Sequence, residues 1–232
     1  MEIGFDVISD LCLSPNETFK WTNKATSLYC IVAGNVSSDT RTIIQTLGHL
    51  AKFYQGVFYI PGRLEYQGFE DIEMRTEELV AICDYLGSVA ILHHNVAIID
   101  GVALVGINGW GTLSEDYNLD NIQKLHERED DLVYLQKTIE KLQVHLDVKK
   151  IVIASSVVPS KDLFFGQLPE HIETMPDLSS CMQYDTEKKI SHWVFGTYEN
   201  IVDVTVNNIN YVNNAYYKSR NYWAKRLTVT IN

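Results

Sequence analysis

The sequence predicts a single α/β domain, spanning residues 1–232, in which two sheets are each covered by helices. Three observations support this prediction. Strand-like and helix-like segments alternate in the first part of the chain, an order that implies parallel strands joined by crossover helices. Several apolar runs end abruptly on a polar or glycine-containing turn, as buried strands do. From His192 onward the chain is dominated by strand-like segments.

The stretch Ile3–Ser14 is the one around which the chain is organised. Its apolar run stops at Ser9-Asp10, and a loop that contains Cys12 follows. A carboxylate placed where a buried strand ends points into the crevice in which open α/β sheets bind ligands. Three later runs end on similar short turns: Tyr29–Ala33 before Gly34, Val57–Pro61 before Gly62, and Ile151–Ala154 before Ser155. The four strand ends are therefore the candidate site.

Helical periodicity predicts helices between these strands. One helix follows the potential N-cap Asp39, a second follows Gly68, and a long third one covers about Asp120–Leu146. Asp100-Gly101, between two short apolar runs, predicts a tight hairpin. The acidic segment Lys161–Lys188 is interpreted as mostly loop.

Composition and charge exclude several classes of function. Apolar residues make up 46% and charged residues 21%, which are globular values. The formal net charge of −11 argues against nucleic acid as the main partner, because binding a phosphate backbone requires a basic face. No run approaches the ~20 apolar residues of a membrane helix, and no signal peptide is predicted. The four cysteines are far apart, as in a reduced cytoplasmic protein: Cys12, Cys30, Cys83 and Cys181.

Short segments after the predicted strands occur in a fixed order. They are Ser9-Asp10-Leu11-Cys12, Ala33-Gly34-Asn35, Gly62-Arg63-Leu64-Glu65, Ala154-Ser155-Ser156 and Gly196-Thr197-Tyr198-Glu199. Their order and spacing resemble the calcineurin-like metallophosphoesterase superfamily over nearly the whole chain. The resemblance implies a four-layer α/β/β/α sandwich of two mixed sheets flanked by helices.

The resemblance also implies that most of the metal ligands are missing. The family holds two divalent metals on Asp, His and Asn side chains, with one Asp bridging both. At the matching positions Asp10 is kept, and the other residues differ: Cys12 and Asn35 replace a His and the bridging Asp, Arg63 replaces the Asn ligand, Leu64 replaces the His that assists the leaving group, and Ser156, Thr197 and Glu199 stand where His ligands are expected.

Asn35 and Arg63 weigh most heavily against a metal pair. Neutral Asn35 removes a charge that both metals would share, and the guanidinium of Arg63 is a permanent cation that would repel them by several kcal/mol. We therefore expect no cofactor. Arg63 is instead expected to act as the countercharge of Asp10, with Glu199 as a further participant. If a metal such as Mn²⁺ or Zn²⁺ does bind, Asp10, Asn35 and Glu199 are the candidate ligands.

The leading interpretation is a catalytically inactive protein of this fold that serves as a scaffold or assembly subunit. Its partner would be another protein or further copies of itself. A composition rich in Asn, Ile and Tyr is compatible with an AT-rich phage genome, in which case a virion location would replace a cytoplasmic one. Two alternatives stay open: a metal-dependent phosphomonoesterase or phosphodiesterase with a reduced site, and a module that binds phosphate or a nucleotide through Arg63 and backbone N–H groups.

The pair His93-His94 is the most ligand-like dipeptide outside these segments. It falls between two predicted strands, where successive side chains point to opposite faces. The two rings are therefore expected to diverge.

Overall fold

The computed structural model describes residues 1–21, 24–110, 119–164, 177–198, 200–217 and 223–231, without the side chains of 119–122. Eleven strands and three helices follow one another in these ranges. In chain order they are β1 Glu2–Ser9, β2 Tyr29–Ala33, α1 Thr40–Leu50, β3 Gly56–Ile60, α2 Ile72–Leu86, β4 Val89–Ile91, β5 Asn95–Ile99, β6 Val102–Ile107, α3 Leu119–Val144, β7 Lys150–Ser155, β8 Ile190–Phe195, β9 Val202–Val206, β10 Ile209–Asn213 and β11 Lys225–Thr230.

The strands form two mixed sheets, as the sequence predicted. Sheet A has the order β11-β1-β2-β3-β4, and sheet B has the order β5-β6-β7-β8-β10-β9. The inner strands are parallel in both sheets, whereas β11, β5 and β9 are antiparallel edge strands. Because β1, β2 and β3 run the same way, as do β7 and β8, their carboxyl ends meet at a common edge.

Three apolar layers hold the four layers of the sandwich together. Phe5, Ile31 and Leu104 belong to the layer between the two sheets. Leu47 of α1 lies in the layer on the outer face of sheet A, and Leu135 of α3 lies in the layer on the outer face of sheet B. Since both faces of each sheet are covered, the central strands are buried almost continuously, which explains their uninterrupted apolar runs.

Turns and caps follow the predicted chemistry. Asp100 and Gly101 have φ values of 46° and 87°, as the tight hairpin between β5 and β6 requires. The carboxylate of Asp39 accepts a hydrogen bond from the backbone N–H of Thr42 at 2.8 Å, so α1 begins at Thr40.

The segment interpreted as loop is not loop throughout. It contains two 3₁₀ turns, Lys161–Phe164 and Leu178–Tyr184, and residues 165–176 between them lie outside the described ranges. Across the described ranges, no helix combines the length and the apolar character that a membrane crossing requires.

Candidate functional site

The turns that follow β2, β7 and β8 are in direct contact, which joins the two sheets at their carboxyl ends. Gly34 has a φ of 75°, and a Cβ at this position would lie 2.7 Å from the Cβ of Ser156. A Cβ on Gly196 would lie 2.3 Å from the carbonyl oxygen of Ala33. Both positions therefore need glycine, and the backbone itself fills part of the crevice between the sheets.

Asp10, just after β1, lies at the centre of this junction and is 6% exposed. Its Oδ1 accepts hydrogen bonds from Asn35 Nδ2 at 2.9 Å and from the backbone N–H of Thr197 at 2.8 Å. Its other oxygen, Oδ2, is buried and receives no hydrogen bond from the described residues. One half of the carboxylate is therefore left without a partner.

Burial raises the pKa of Asp10 from 3.8 to about 6, although the hydrogen bonds from Asn35 and Thr197 partly offset this effect. The protonated form is favoured because a buried carboxylate without a cation is poorly solvated. At neutral pH, which lies above this pKa, the folded protein therefore carries a buried and poorly solvated carboxylate at this position.

Asn35, which follows β2, links the strand ends through its side-chain amide. Its Nδ2 donates to Asp10 and also to Thr197 Oγ1 at 3.1 Å, and its Oδ1 accepts from the backbone N–H of Leu64 at 3.1 Å. The hydroxyl of Thr197 in turn donates to the carbonyl oxygen of Ser156 at 2.5 Å. A hydrogen-bond network thus connects Asp10, Asn35, Leu64, Ser156 and Thr197.

Arg63 does not play the role that the sequence suggested. Its side chain is exposed, and it forms neither a hydrogen bond nor an ion pair within the described part of the chain. The expected Arg63–Asp10 ion pair is therefore wrong. Asp10 takes its partners from Asn35 and Thr197 because the 3₁₀ turn that begins at Arg63 places this side chain at the surface.

Two further residues of the predicted site have different outcomes. The backbone N–H of Cys12 donates to the carbonyl oxygen of Asn35 at 2.7 Å, which brings Cys12 to the same junction. Burial, and to a lesser degree the charges of Asp10 and Glu65, raises the pKa of its thiol to about 12. A thiol in this state is a poor metal ligand. Glu199 lies outside the described residues, so its proposed participation stays a prediction.

Glu65 is a central residue that sequence reasoning did not assign a role. It is fully buried, and its carboxylate accepts backbone hydrogen bonds from Asn35 at 3.2 Å, Val36 at 2.5 Å and Gly62 at 2.7 Å. Burial raises its pKa to about 7. The sequence did contain a sign of this role. Glu65 is the fourth residue of Gly62-Arg63-Leu64-Glu65, the segment that matches Gly-Asn-His-Glu of the family. Glu65 clamps the turns after β2 and β3 together.

The backbone is strained at the same place. Four non-glycine residues have positive φ values, namely 50° at Asp10, 46° at Cys12, 57° at Asn35 and 55° at Thr197. Such conformations cost about 1 kcal/mol or more each and cluster at functional sites. The strained backbone therefore coincides with the candidate site at the strand ends.

The rings of His93 and His94 do not diverge, contrary to expectation. They are stacked with centroids 4.7 Å apart and an interplanar angle of 9°, and His94 stacks in turn on Tyr134. The alternation rule fails because β4 ends at Ile91, so both histidines lie in a turn, and His94 has a φ of 49°.

The histidine turn is tied to α3 by a buried carboxylate. Nε2 of His94 lies 2.8 Å from Oδ1 of Asp131, whose Oδ2 accepts from the backbone N–H of Gly109 at 2.7 Å. Burial lowers the pKa of His94, but the hydrogen bond and charge of Asp131 more than offset this, so its pKa is raised overall.

The capacity of the site to hold metal is limited by its donor set. Among the residues that the structure describes, no group of three or more His, Cys, Asp or Glu side chains is placed to share a metal ion. Asp10 offers one carboxylate oxygen at the strand ends, and Glu65 is occupied by three backbone donors. Two divalent metals need several anionic or imidazole ligands.

Comparison with known proteins supports the fold. No protein-family model matches the sequence, and no curated protein sequence matches it either. The phosphopantetheinyl hydrolase PptH from Mycobacterium tuberculosis has a similar structure, with a TM-score of 0.69 at 15% identity over 97% of this chain and 96% of that one.

Two further solved structures are similar. A candidate 5′-nucleotidase from Staphylococcus aureus, solved with α-ketoglutarate, gives a TM-score of 0.63 at 12% identity. The match covers 100% of this chain but only 51% of that one. GAP50, the anchor in the inner membrane complex of Plasmodium, gives a TM-score of 0.55 at 10% identity over 92% of this chain and 71% of that one. At these identities the likeness extends to the fold, which is of the metallophosphoesterase type.

Proposed function

We propose that this chain is a non-catalytic protein of the metallophosphoesterase-type fold that serves as a structural or interaction subunit. The observation that carries the proposal is the network around Asn35. A neutral amide stands at the position that matches the family's bridging carboxylate, and it is fully engaged by Asp10, Leu64 and Thr197. The strand ends therefore bind one another where a metal pair would have to sit.

The charge balance of the site supports the same proposal. Two divalent ions bring four positive charges, which several ionised ligands must offset. The described strand ends contribute Asp10, with a pKa raised to about 6, and a Cys12 thiol whose pKa is raised to about 12, while the carboxylate of Glu65, with a pKa raised to about 7, is held by three backbone N–H groups. Arg63 adds a permanent positive charge at the surface beside them. This set of groups is too poor in negative charge for a binuclear centre.

GAP50 offers a precedent for this use of the fold, since that protein is an anchor in a membrane-associated complex. Fold similarity alone does not establish function. The precedent therefore supports the plausibility of an anchoring role and leaves the partner to be found.

The phosphate-binding alternative has less support. It requires free backbone N–H groups beside Arg63 to cradle an anion. The N–H groups of Asn35, Val36 and Gly62 donate to Glu65, and that of Leu64 donates to Asn35. An anion would have to displace these internal acceptors.

A hydrolysis assay tests the proposal against the enzyme alternative. We expect the purified protein in excess Mn²⁺ to hydrolyse a generic activated phosphodiester no faster than its Asp10→Ala variant. The two preparations must first be matched by circular dichroism, so that a folding defect is not read as a loss of activity. Hydrolysis that the wild type performs and the variant lacks would establish a metal-dependent phosphoesterase with a reduced site.

A further inference from the structure

One stretch of the chain lacks Asp, Glu, Lys and Arg, although the whole chain has a net charge of −11. Between Gly87 and Ile99 there is no Asp, Glu, Lys or Arg. This stretch contains β4 and β5, which are the edge strands of sheet A and sheet B respectively. An edge strand exposes unpaired backbone groups that can pair with another chain.

The outer side of β5 is available for such pairing. This strand pairs only with β6 among the described strands, and the pair closes through the two-residue turn at Asp100-Gly101. In this register Ile99, Ala97 and Asn95 exchange hydrogen bonds with β6, so the backbone groups of Ile98 and Val96 point outward. Asn95 Oδ1 accepts from the N–H of Val96 at 2.8 Å, which leaves Ile98 with both outward groups unpaired.

The usual defences of an edge strand are absent from β5. Natural sheets protect their edges with lysines, prolines or bulges. The strand Asn95-Val96-Ala97-Ile98-Ile99 contains neither lysine nor proline, and its pairing register with β6 is continuous. The side chain of Ile98 is 49% exposed.

The opposite edges of the sandwich are protected. The edge strand β11 begins with Lys225 and Arg226. The edge strand β9 carries Asp203, which forms an ion pair with Lys225 at 2.5 Å. These charges oppose the approach of another chain, so the difference between the two sides of the molecule is chemical and not only a matter of position.

We propose that β5 is a self-association edge, at which β5 of a second copy pairs antiparallel to join the two B sheets into one continuous sheet. A twofold axis at Ile98 sets the N–H of each Ile98 against the C=O of the other, which satisfies both unpaired groups. The same axis places Asp100 opposite Val96 of the second copy, so the nearest acids do not face each other. This inference rests on the proposed interaction role and names its surface and its partner.

The self-complementary pairing at Ile98 favours a second copy, whereas net charge alone disfavours one. Two copies that each carry a charge of −11 repel one another over most of their surfaces. The uncharged edge is the place where this repulsion is weakest, and Ile98 against Ile98 is an apolar contact that is complementary to itself. Pairing should therefore tighten as added salt screens the remaining repulsion.

Light scattering coupled to size-exclusion chromatography tests the proposal on the full chain. We expect the apparent mass to rise with concentration from 26.5 kDa, the mass of one chain, towards twice that value, and to rise further at high salt. Ile98→Lys should reduce the association at least tenfold by placing two cations at the axis. Val206→Lys is the matched control, because Val206 is 42% exposed on β9, the opposite edge of the same sheet, and its replacement should have no effect.

Every outcome of this experiment is decisive. A wild-type chain that stays monomeric at the highest concentration overturns the proposal, as does a dimer that Ile98→Lys leaves intact. A circular dichroism spectrum shared by both variants ensures that the loss of association is not a loss of folding. Because the hydrolysis assay does not depend on association, the self-association edge can fail while the non-catalytic function stands, and the reverse also holds.

Discussion

Asp10 is the residue whose chemistry is least expected in a stable fold. A buried carboxylate is usually paired with a cation or fully hydrogen-bonded, yet Oδ2 of Asp10 has no partner among the described groups. Its pKa is raised from 3.8 to about 6, so the folded state binds a proton more tightly than the unfolded state does. The contribution of Asp10 to stability therefore falls as pH rises from about 4 to about 6, and its full penalty of about 3 kcal/mol applies above that window.

Asp10→Asn should consequently raise the free energy of unfolding at pH 8, by about 1–3 kcal/mol, and change it little at pH 4. Urea denaturation in the presence of EDTA at both pH values measures this difference. The exposed carboxylate of Asp84 supplies the matched control, and Asp84→Asn should leave the difference unchanged. Loss of stability in the Asp10 variant at pH 8 would mean that the carboxylate has a stabilising partner after all.

Asn35→Asp provides the complementary prediction. It would place a second carboxylate beside Asp10, where the amide nitrogen now lies 2.9 Å from Oδ1. We expect a loss of about 2–4 kcal/mol at pH 8 and a smaller loss at pH 4, where the pair can share a proton. Asn16→Asp is the control, since exposed Asn16 has a similar φ of 62°, compared with 57° at Asn35. Equal losses in the two variants would show that charge repulsion is not the cause.

The position of the site residues could be predicted from the sequence, but the contacts of their side chains could not. Asp10, Asn35, Ser156 and Thr197 could be placed together because they follow strands that end at one edge. The partner of Asp10 could not be predicted, because a formal charge on Arg63 says nothing about which way its side chain points. The role of Glu65 could not be predicted from the charge pattern either, because its hydrogen bonds come from backbone N–H groups and not from a charged side chain.

Among the elements, α3 and the turn after β4 are joined by the contact between His94 and Asp131. His94 has a raised pKa, so this contact adds stability that is fully present below the unfolded pKa of about 6.5 and is lost as pH rises through the folded value. The groups that face His94 are His93, Tyr134 and the carboxylates of Glu127, Asp130 and Asp131. Most of these charges favour the protonated ring.

Asp131→Asn should therefore lower the pKa of His94 and destabilise the protein more at pH 5.5 than at pH 8, with a loss of about 1–3 kcal/mol at the lower pH. An NMR titration of the His94 ring protons measures the pKa directly, with the ring of exposed His126 as an internal reference. If the titration curve of His94 is the same in both proteins, the hydrogen bond with Asp131 is not what raises its pKa.

The order of the elements was predictable, and their ends were less so. Parallel strands followed from the β-α-β-α order, and the hairpin followed from Asp100-Gly101. The turn at His93 and His94 was misread as strand, because both residues adjoin apolar runs that have no clear boundary in the sequence. Residues 92–94, with a positive φ at His94, separate β4 in sheet A from β5 in sheet B.

For the whole molecule, the four-layer sandwich came from the order of five strand-end segments, a signal that no single segment carries. In the part of the chain that the structure describes, positive φ values at the strand ends occur without any group of three His, Cys, Asp or Glu side chains placed to share a metal ion. The edge strand β5 contains no charged residue, whereas the edge strand β9 carries the ion pair of Asp203 with Lys225. These features are the basis of the proposal that the chain acts through a surface and not through catalysis.

The metal content of the purified protein tests the non-catalytic proposal. The full chain would be purified in excess Mn²⁺ and Zn²⁺, desalted, and analysed for bound metal per chain. We expect less than about a tenth of a metal ion per chain, because Asp10 alone cannot offset the charge of a metal pair. A content near one or two ions per chain would contradict it, and would mean that the network around Asn35 opens to form a metal site.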